Sequence, residues 1–257
     1  LSSGEDLNAE GMFGILQEQL KVIYDAYEKE YKQKKKIVFI IDKAARWKSL
    51  ESIWRAAKGD KNNIVSVIAV PYCYKRYDNS IIEEHYEGEL FPEYVEVVDY
   101  TTCNLEQYHP DVIYINSPYD EYNYFTSIHQ GFYSSKLINY CDKLIYIPWF
   151  MIAELSRGDE RGWQSMQHFV TMPGVVNADQ VIVQSEKMKE NYVDYLTDWA
   201  GEETRSLWEE KISGLGSPLM DVDKNAEAIE NLIPVNWKPY VYKEKGDRKK
   251  VILYVTP

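Results

Sequence analysis

Short apolar runs recur along the chain, each stopped by a small, polar or proline-bearing turn. Leu144–Ile147, ended by Pro148, is the central example. It is too short for a helix and reads as a strand buried on both faces, as parallel strands are. Ile37–Ile41, Ile64–Val70, Val112–Ile115, Val181–Val183 and Val251–Val255 repeat the design, and helical spacing follows most of them. Strands alternating with helices predict an α/β, Rossmann-like, doubly wound and mainly parallel sheet. Ligands bind such sheets at the carboxyl ends of the strands. Function is therefore expected in the turns.

Helical spacing marks the remaining elements. Phe13, Leu16, Leu20, Ile23, Tyr27 and Tyr31 form one apolar stripe over residues 12–31. Two readings of it stand: docking against the body, or an arm that pairs with another helix. Lys32-Gln-Lys-Lys-Lys36 reads as a solvated helix end, with a membrane-surface patch as the alternative. The helix after the first strand is expected from Trp47 or Lys48 to Lys58, ended by Gly59. Trp163–Val170 is a further helix, with His168 in packing. Ser185 reads as the N-cap of a helix whose inner face is Met188, Tyr192, Tyr195 and Leu196. Glu202–Lys211 and Asp223–Ile233 are the last two helices. Pro71 to Pro92 reads as a long functional loop, Tyr94–Val98 as a short strand, and Thr101 or Thr102 as the cap of a short turn. The charged tract 156–162 is expected to order on ligand binding. The chain divides into an N-terminal helical arm (1–35), a Rossmann-like body (36–235), and a linker with one fresh strand (236–257). Because that strand has no helix to cover it, a further C-terminal domain is expected; a start at Leu1 likewise suggests upstream sequence.

Composition narrows the function classes. An apolar share of 45% over 257 residues is ample for a core. A net charge of −12 disfavours nonspecific nucleic-acid binding. It leaves anionic ligands open, because helix-start N–H groups bind phosphate whatever the net charge. The 22 tyrosines fit half-buried packing or a groove that stacks on a sugar or polyol. Cys73, Cys103 and Cys141 make no C-x-x-C pair, so neither zinc site nor disulfide framework is expected, and a reducing cytoplasm fits. No run of eighteen apolar residues and no signal peptide is visible. Neither a G-x-G-x-x-G fingerprint nor a P-loop is present, which argues against an NAD enzyme or a P-loop ATPase; no cofactor and no metal ligand set is expected.

The densest polar-aromatic cluster runs from Asn116 to His129. His129 is the histidine singled out: a hydrogen-bonded structural residue on one reading, a general base or ligand contact on the other. Gly214 and Gly216 allow a close backbone approach, in a tight turn or toward a phosphate or sugar.

Taken in order, several stretches resemble a bacterial group of CDP-glycerol glycerophosphotransferase-like proteins, allied to teichoic-acid polymerases and to two-domain GT-B glycosyltransferases. The matching pieces are Lys43-Ala44, Trp47 and Ser49-Leu-Glu-Ser-Ile-Trp54; His85-Tyr-Glu-Gly88; Asp111-Val-Ile-Tyr-Ile115 with Pro118-Tyr-Asp120 and Tyr122-Asn123; Thr126-Ser127 with His129 and Phe132-Tyr-Ser134; Tyr146-Ile-Pro148; Val183-Gln-Ser-Glu186; and Gly214-Leu-Gly-Ser-Pro218 with Asp221. The resemblance implies the N-terminal, acceptor-side half of a GT-B enzyme. The donor nucleotide would be held by a C-terminal domain, and the acceptor would be a polyol phosphate or glycan. On this view Lys43, Trp47, His85, Tyr86, Glu87, Asn116, Tyr119, Asp120, Asn123, Gln184, Ser185, Gly216 and Ser217 are the substrate contacts, and His129 or Glu154 takes the hydroxyl proton. Two departures stand out. Polymerases of the group carry a Trp-His-Gly-type stretch where this chain reads Ile147-Pro-Trp-Phe-Met-Ile-Ala-Glu154, and Leu219 replaces a usual lysine. Three functions follow: glycerol-phosphate transfer in cell-envelope polymer synthesis, transfer from a nucleotide sugar, or a non-catalytic interaction module that oligomerises through its first helix. The expected location is the cytoplasm, with association at the inner face of the membrane as a further expectation.

Overall fold

The structure is a computed structural model that describes residues 9–30, 34–156, 158–221, 237–243 and 249–250. The expected helix at 223–233 and strand at 251–255 lie outside those residues. The chain falls into two compact units, residues 1–219 and 220–257. In the second, the described residues include one short helix, Lys238–Val241.

The first unit is built on seven parallel strands: β1 (Lys35–Ile41), β2 (Asn63–Ala69), β5 (Val97–Asp99), β6 (Val112–Ile115), β8 (Lys143–Tyr146), β9 (Gln180–Ile182) and β10 (Ile212–Ser213). Their order across the sheet is β10-β9-β8-β6-β1-β2-β5. The chain starts at the centre, winds to one edge through β2 and β5, returns, and winds to the other. This is the doubly wound Rossmann-like order, with its reversal between β1 and β6. Parallel neighbours need long crossovers, and these supply the helices.

Period-two alternation splits the strands between two cores. Phe39, Ile41, Val67, Ala69, Ile145 and Ile147 face Trp47, Leu50 and Trp54 from the turn and helix α2 (Glu51–Gly59). Val38, Ile40, Ile113, Ile115, Leu144, Tyr146 and Val181 face the opposite layer. That layer is made by α3 (Leu105–Tyr108), α4 (Ser134–Leu137), α5 (Glu160–Val170), α6 (Pro173–Asn177), α7 (Glu186–Ala200) and α8 (Arg205–Lys211). A strand clothed on both sides must be apolar throughout, which is why the runs are visible in the sequence.

Several elements differ from expectation. A 3-10 turn over Ala44–Ser49 precedes α2, so the helix begins later than its apolar spacing suggests. The tract after Pro71 is not a loop. It folds into a hairpin, β3 (Tyr72–Lys75) and β4 (Ile81–His85), and β7 (Thr126–Ile128) pairs with the other edge of β3. The reversal sits at Tyr77-Asp78-Asn79, where Asn79 takes a left-handed φ of 66°; asparagine tolerates that conformation better than most residues. The cap expected at Thr101 or Thr102 falls to its neighbours: Asp99 accepts from Thr101 N–H, and Asn104 accepts from Gln107 N–H at the start of α3. Ser185 caps α7 as expected, accepting from Met188 N–H at 3.0 Å. His168 is exposed rather than packed. The first helix, α1 (Ala9–Glu30), carries its apolar stripe exposed, so among the described residues the docked reading fails for it.

Leu144 is fully buried at the middle of the sheet. Leu144→Ala is expected to cost about 3 kcal/mol, the usual loss for a large-to-small change in a closed core, read as a lower urea midpoint at unchanged slope.

Candidate functional site

All seven parallel strands end at one edge, so the turns that follow them line up along it in the order of the strands. The winding reverses between β1 and β6, the place where open sheets of this kind bind their ligands. Asp42 follows the last residue of β1 and Asn116 follows the last of β6. Both are buried.

Arg46 ties the two turns together. Its guanidinium pairs with Asp42 Oδ2 at 2.5 Å and reaches Ser117 Oγ at 3.5 Å. Asn116 Nδ2 donates to the Arg46 carbonyl at 3.3 Å and to Ser49 Oγ at 3.0 Å. The guanidinium also lies over the ring of Trp149, 4.1 Å from its centroid, in the turn after β8. Under this cover several polar atoms are shielded from solvent and lack a hydrogen-bond partner: Asp42 Oδ1, Asn116 Oδ1, Trp149 Nε1 and the Tyr146 hydroxyl. Each such atom costs about 1–3 kcal/mol, and a native fold leaves few of them. Burial holds the Tyr146 hydroxyl protonated, raising its pKa well above the ordinary value against the opposing pull of Arg46. Burial likewise raises Tyr119, again opposed by Arg46. The cluster therefore offers two carboxyl or amide oxygens as acceptors, two or more donors, one compensated ion pair and an aromatic wall.

Lys43 flanks this centre on the β2 side. Its ammonium sits 4.1 Å from the Tyr72 ring centroid and 3.2 Å from the Tyr74 hydroxyl. Glu87 accepts from Ala44 N–H and from the Tyr72 hydroxyl, both at 2.8 Å. Burial, then that bond to Glu87, pushes the Tyr72 hydroxyl far up in pKa. His85 stacks on Tyr72 at 5.1 Å, with Nε2 2.8 Å from Glu83. The hairpin thus closes over the first turn, and Lys43, His85 and Glu87 come together around Tyr72.

On the β9 side, Gln184 brackets Ile152, accepting its N–H at 3.1 Å and donating to its carbonyl at 2.9 Å. The Ser185 hydroxyl donates to Glu154 in a very short contact. Gly216 and Ser217 join Gln184, Pro148 and Phe150 around a space of about 10 Å³, enough for one water. Gly214 explains its own glycine: a Cβ there would stand 2.5 Å from the backbone of Ser185 and Glu186. The close approach is to the start of α7.

The remaining sequence candidates are placed elsewhere or otherwise engaged. Trp47 is wholly buried and stacks edge-on against Trp54 at 5.3 Å, a core residue rather than a contact. Asp120 is a buried brace, accepting from Ser134 N–H at 2.7 Å and Ser134 Oγ at 2.5 Å. Asn123 closes a turn by accepting from the N–H groups of Phe125 and Thr126. Tyr86 is exposed and lies 5.5 Å from the ring of Tyr100. His129 caps the 3-10 turn that follows it: Nδ1 accepts from Gly131 N–H at 3.2 Å, which leaves the proton of the neutral ring on Nε2. It lines a cavity of about 540 Å³ with Tyr100, Cys103, Phe132 and Tyr140. Its backbone N–H bonds Pro71, beyond β2, whereas Glu154 bonds Ser185, beyond β9. Four strand spacings, about 19 Å, separate those positions along the edge. His129 and Glu154 cannot both serve one reacting hydroxyl in this arrangement.

Asp42, Arg46, Ser117 and Trp149 are not among the sequence candidates. Asp42 has a readable signal, a carboxylate directly after a fully apolar strand. Arg46 and Trp149 have none, since their pairing joins turns about a hundred residues apart. Among the described residues no group of three or more histidine, cysteine or acidic side chains is placed to hold a metal ion. No helix among them is long and apolar enough to cross a membrane. Protein-family models give no match to the chain, and no curated protein matches it.

Two outcomes follow. Gly214→Ala is expected to lower stability by about 1–3 kcal/mol through its clash with the start of α7; an unchanged melting curve would show instead that the turn yields freely. Asp120 has its carboxyl pKa raised, by burial first, with the Ser134 bonds opposing. A raised folded pKa favours the folded state below the unfolded value, and that contribution is lost as pH rises through the folded value. Urea midpoints compared between native protein and Asp120→Asn should show a loss from acid toward neutral pH that the variant lacks.

Proposed function

We propose that the chain is the acceptor-side domain of a transferase that moves glycerol phosphate, or a sugar, from a nucleotide-activated donor to a hydroxyl of a cell-envelope polymer. The observation that carries the reading is the polar cluster of Asp42, Arg46, Asn116 and Trp149 at the strand-order reversal, supported by the resemblance of the surrounding turns. Unpartnered acceptor oxygens call for donors, and a hydroxyl-rich acceptor supplies them. Trp149 must move off Arg46 for such a ligand to reach them, because they are shielded in the closed arrangement.

With CDP-glycerol as donor, an acceptor hydroxyl oxygen attacks the phosphorus that bears glycerol. The new O–P bond forms as the bond to the CMP oxygen breaks. CMP departs with the electron pair, and the hydroxyl proton passes to the Asp42 carboxylate. The N-terminus of α7, at the same edge, favours the negative charge of the donor. Glu154, bonded to Ser185 there, is the second carboxylate of the edge. The donor nucleotide belongs to a further domain on this reading, and the work would be done at the inner face of the membrane.

The full-length polypeptide should release CMP from CDP-glycerol, or UDP or GDP from the corresponding sugars, in the presence of a polyol-phosphate or glycan acceptor. Asp42→Asn should lower kcat/KM by about 100-fold or more when assayed well below its melting temperature, which falls because Arg46 loses its buried partner. No release from any of these donors would overturn the transferase reading; normal turnover by Asp42→Asn would remove Asp42 from its role.

A further inference from the structure

A second feature of the chain is independent of the transferase reading. Helix α1 spans 22 residues and bears its apolar stripe in water: Phe13 is 63% exposed, Leu16 64%, Leu20 71% and Ile23 66%. Helices owe most of their stability to packing of an apolar face, and a row of large apolar side chains left in water marks a surface that packs against something. Something must cover the stripe.

The residue pattern points to what that is. Phe13, Leu16, Leu20, Ile23 and Tyr27 alternate spacings of three and four, the average of 3.5 that keeps one seam facing a partner helix. The seam is flanked by Met12, Gln17, Gln19, Tyr24 and Ala26, none of them charged. Glu18, Lys21 and Asp25 fall on the far side. Between Met12 and Tyr27 two copies can thus close on each other with no like charges brought together at the seam. A charged partner finds nothing there to pair with. The stretch 11–27 carries one lysine against two acids, not the basic polar face that holds a helix on an anionic membrane. The helix is about 33 Å long. Two such stripes would bury on the order of 1,200 Å² in total, at the lower end of specific interfaces.

We propose that α1 pairs with α1 of a second copy of this chain, making a dimer through a two-helix seam. The net charge of −12 on each copy opposes association. Added salt screens that repulsion and should strengthen the dimer, the reverse of what a salt-bridged or lipid-bound helix does.

Sedimentation velocity on the chain as it stands, from about 1 to about 200 µM, reads the outcome. The mass should climb from 30.2 kDa toward twice that value, and climb further at higher salt. Leu16→Glu combined with Leu20→Glu should hold a single mass throughout, with unchanged near-ultraviolet circular dichroism from the body. Glu18→Lys, on the outer side, should dimerise as the native chain does. A native chain that stays at 30.2 kDa to the top of the range overturns the proposal. So does a dimer that survives the double substitution, or a monomer that instead floats with vesicles of anionic lipid.

Discussion

Right-handed crossover is the constraint on which this molecule depends. A right-twisted strand leads its chain back to the sheet from one side only. Winding outward from β1 through β2 therefore puts α2 on one face. Winding the other way, from β6 through β8 and β9, puts α4 to α8 on the opposite face. Where the two directions part, no crossover covers the strand ends. Asp42 and Asn116 occupy that gap because they are the first residues past β1 and β6, and nothing apolar is required of them there.

Closing the gap takes a cation. Asp42 is buried, and a lone carboxylate in such a place would be costly. Arg46 offsets that cost with a planar fork that pairs with Asp42 while its flat face lies on Trp149. The arrangement is stable enough to hold the turns together, yet it leaves Asp42, Asn116, Trp149 and Tyr146 with unused hydrogen-bonding capacity. A core built for stability alone would have filled those positions with apolar side chains. On the flank, the hairpin β3–β4 repeats the theme with Lys43 held between tyrosine rings and Glu87 fastening the first turn. The same edge thus carries charge, aromatic surface and shielded acceptors side by side.

How much of this is legible in the sequence depends on whether the signal is local. Ser185 is legible because a cap is a contact between residues three apart. Lys43, His85, Glu87, Gln184 and Ser185 read as turn residues, and the fold does set them along the strand ends. Asp120 and Trp47 read the same way, yet they are buried inside, because a turn residue can point either way and sequence does not say which. The hairpin is hidden by its mixed composition: Ile81-Ile-Glu-Glu-His85 lacks clean alternation, and its strand character comes from pairing with β3.

By itself the sequence determined the parallel sheet and the apolar stripe of α1, since burial on both faces and helical spacing each write a periodic pattern into the chain; that the stripe is exposed is visible only in the structure. Only the tertiary structure decided where the sheet reverses, and with it the meeting of Asp42 and Arg46 with Asn116 and Trp149. Strand order carries no periodic signature. It follows from which runs pair across long crossovers, and residues about a hundred positions apart become neighbours through that pairing alone.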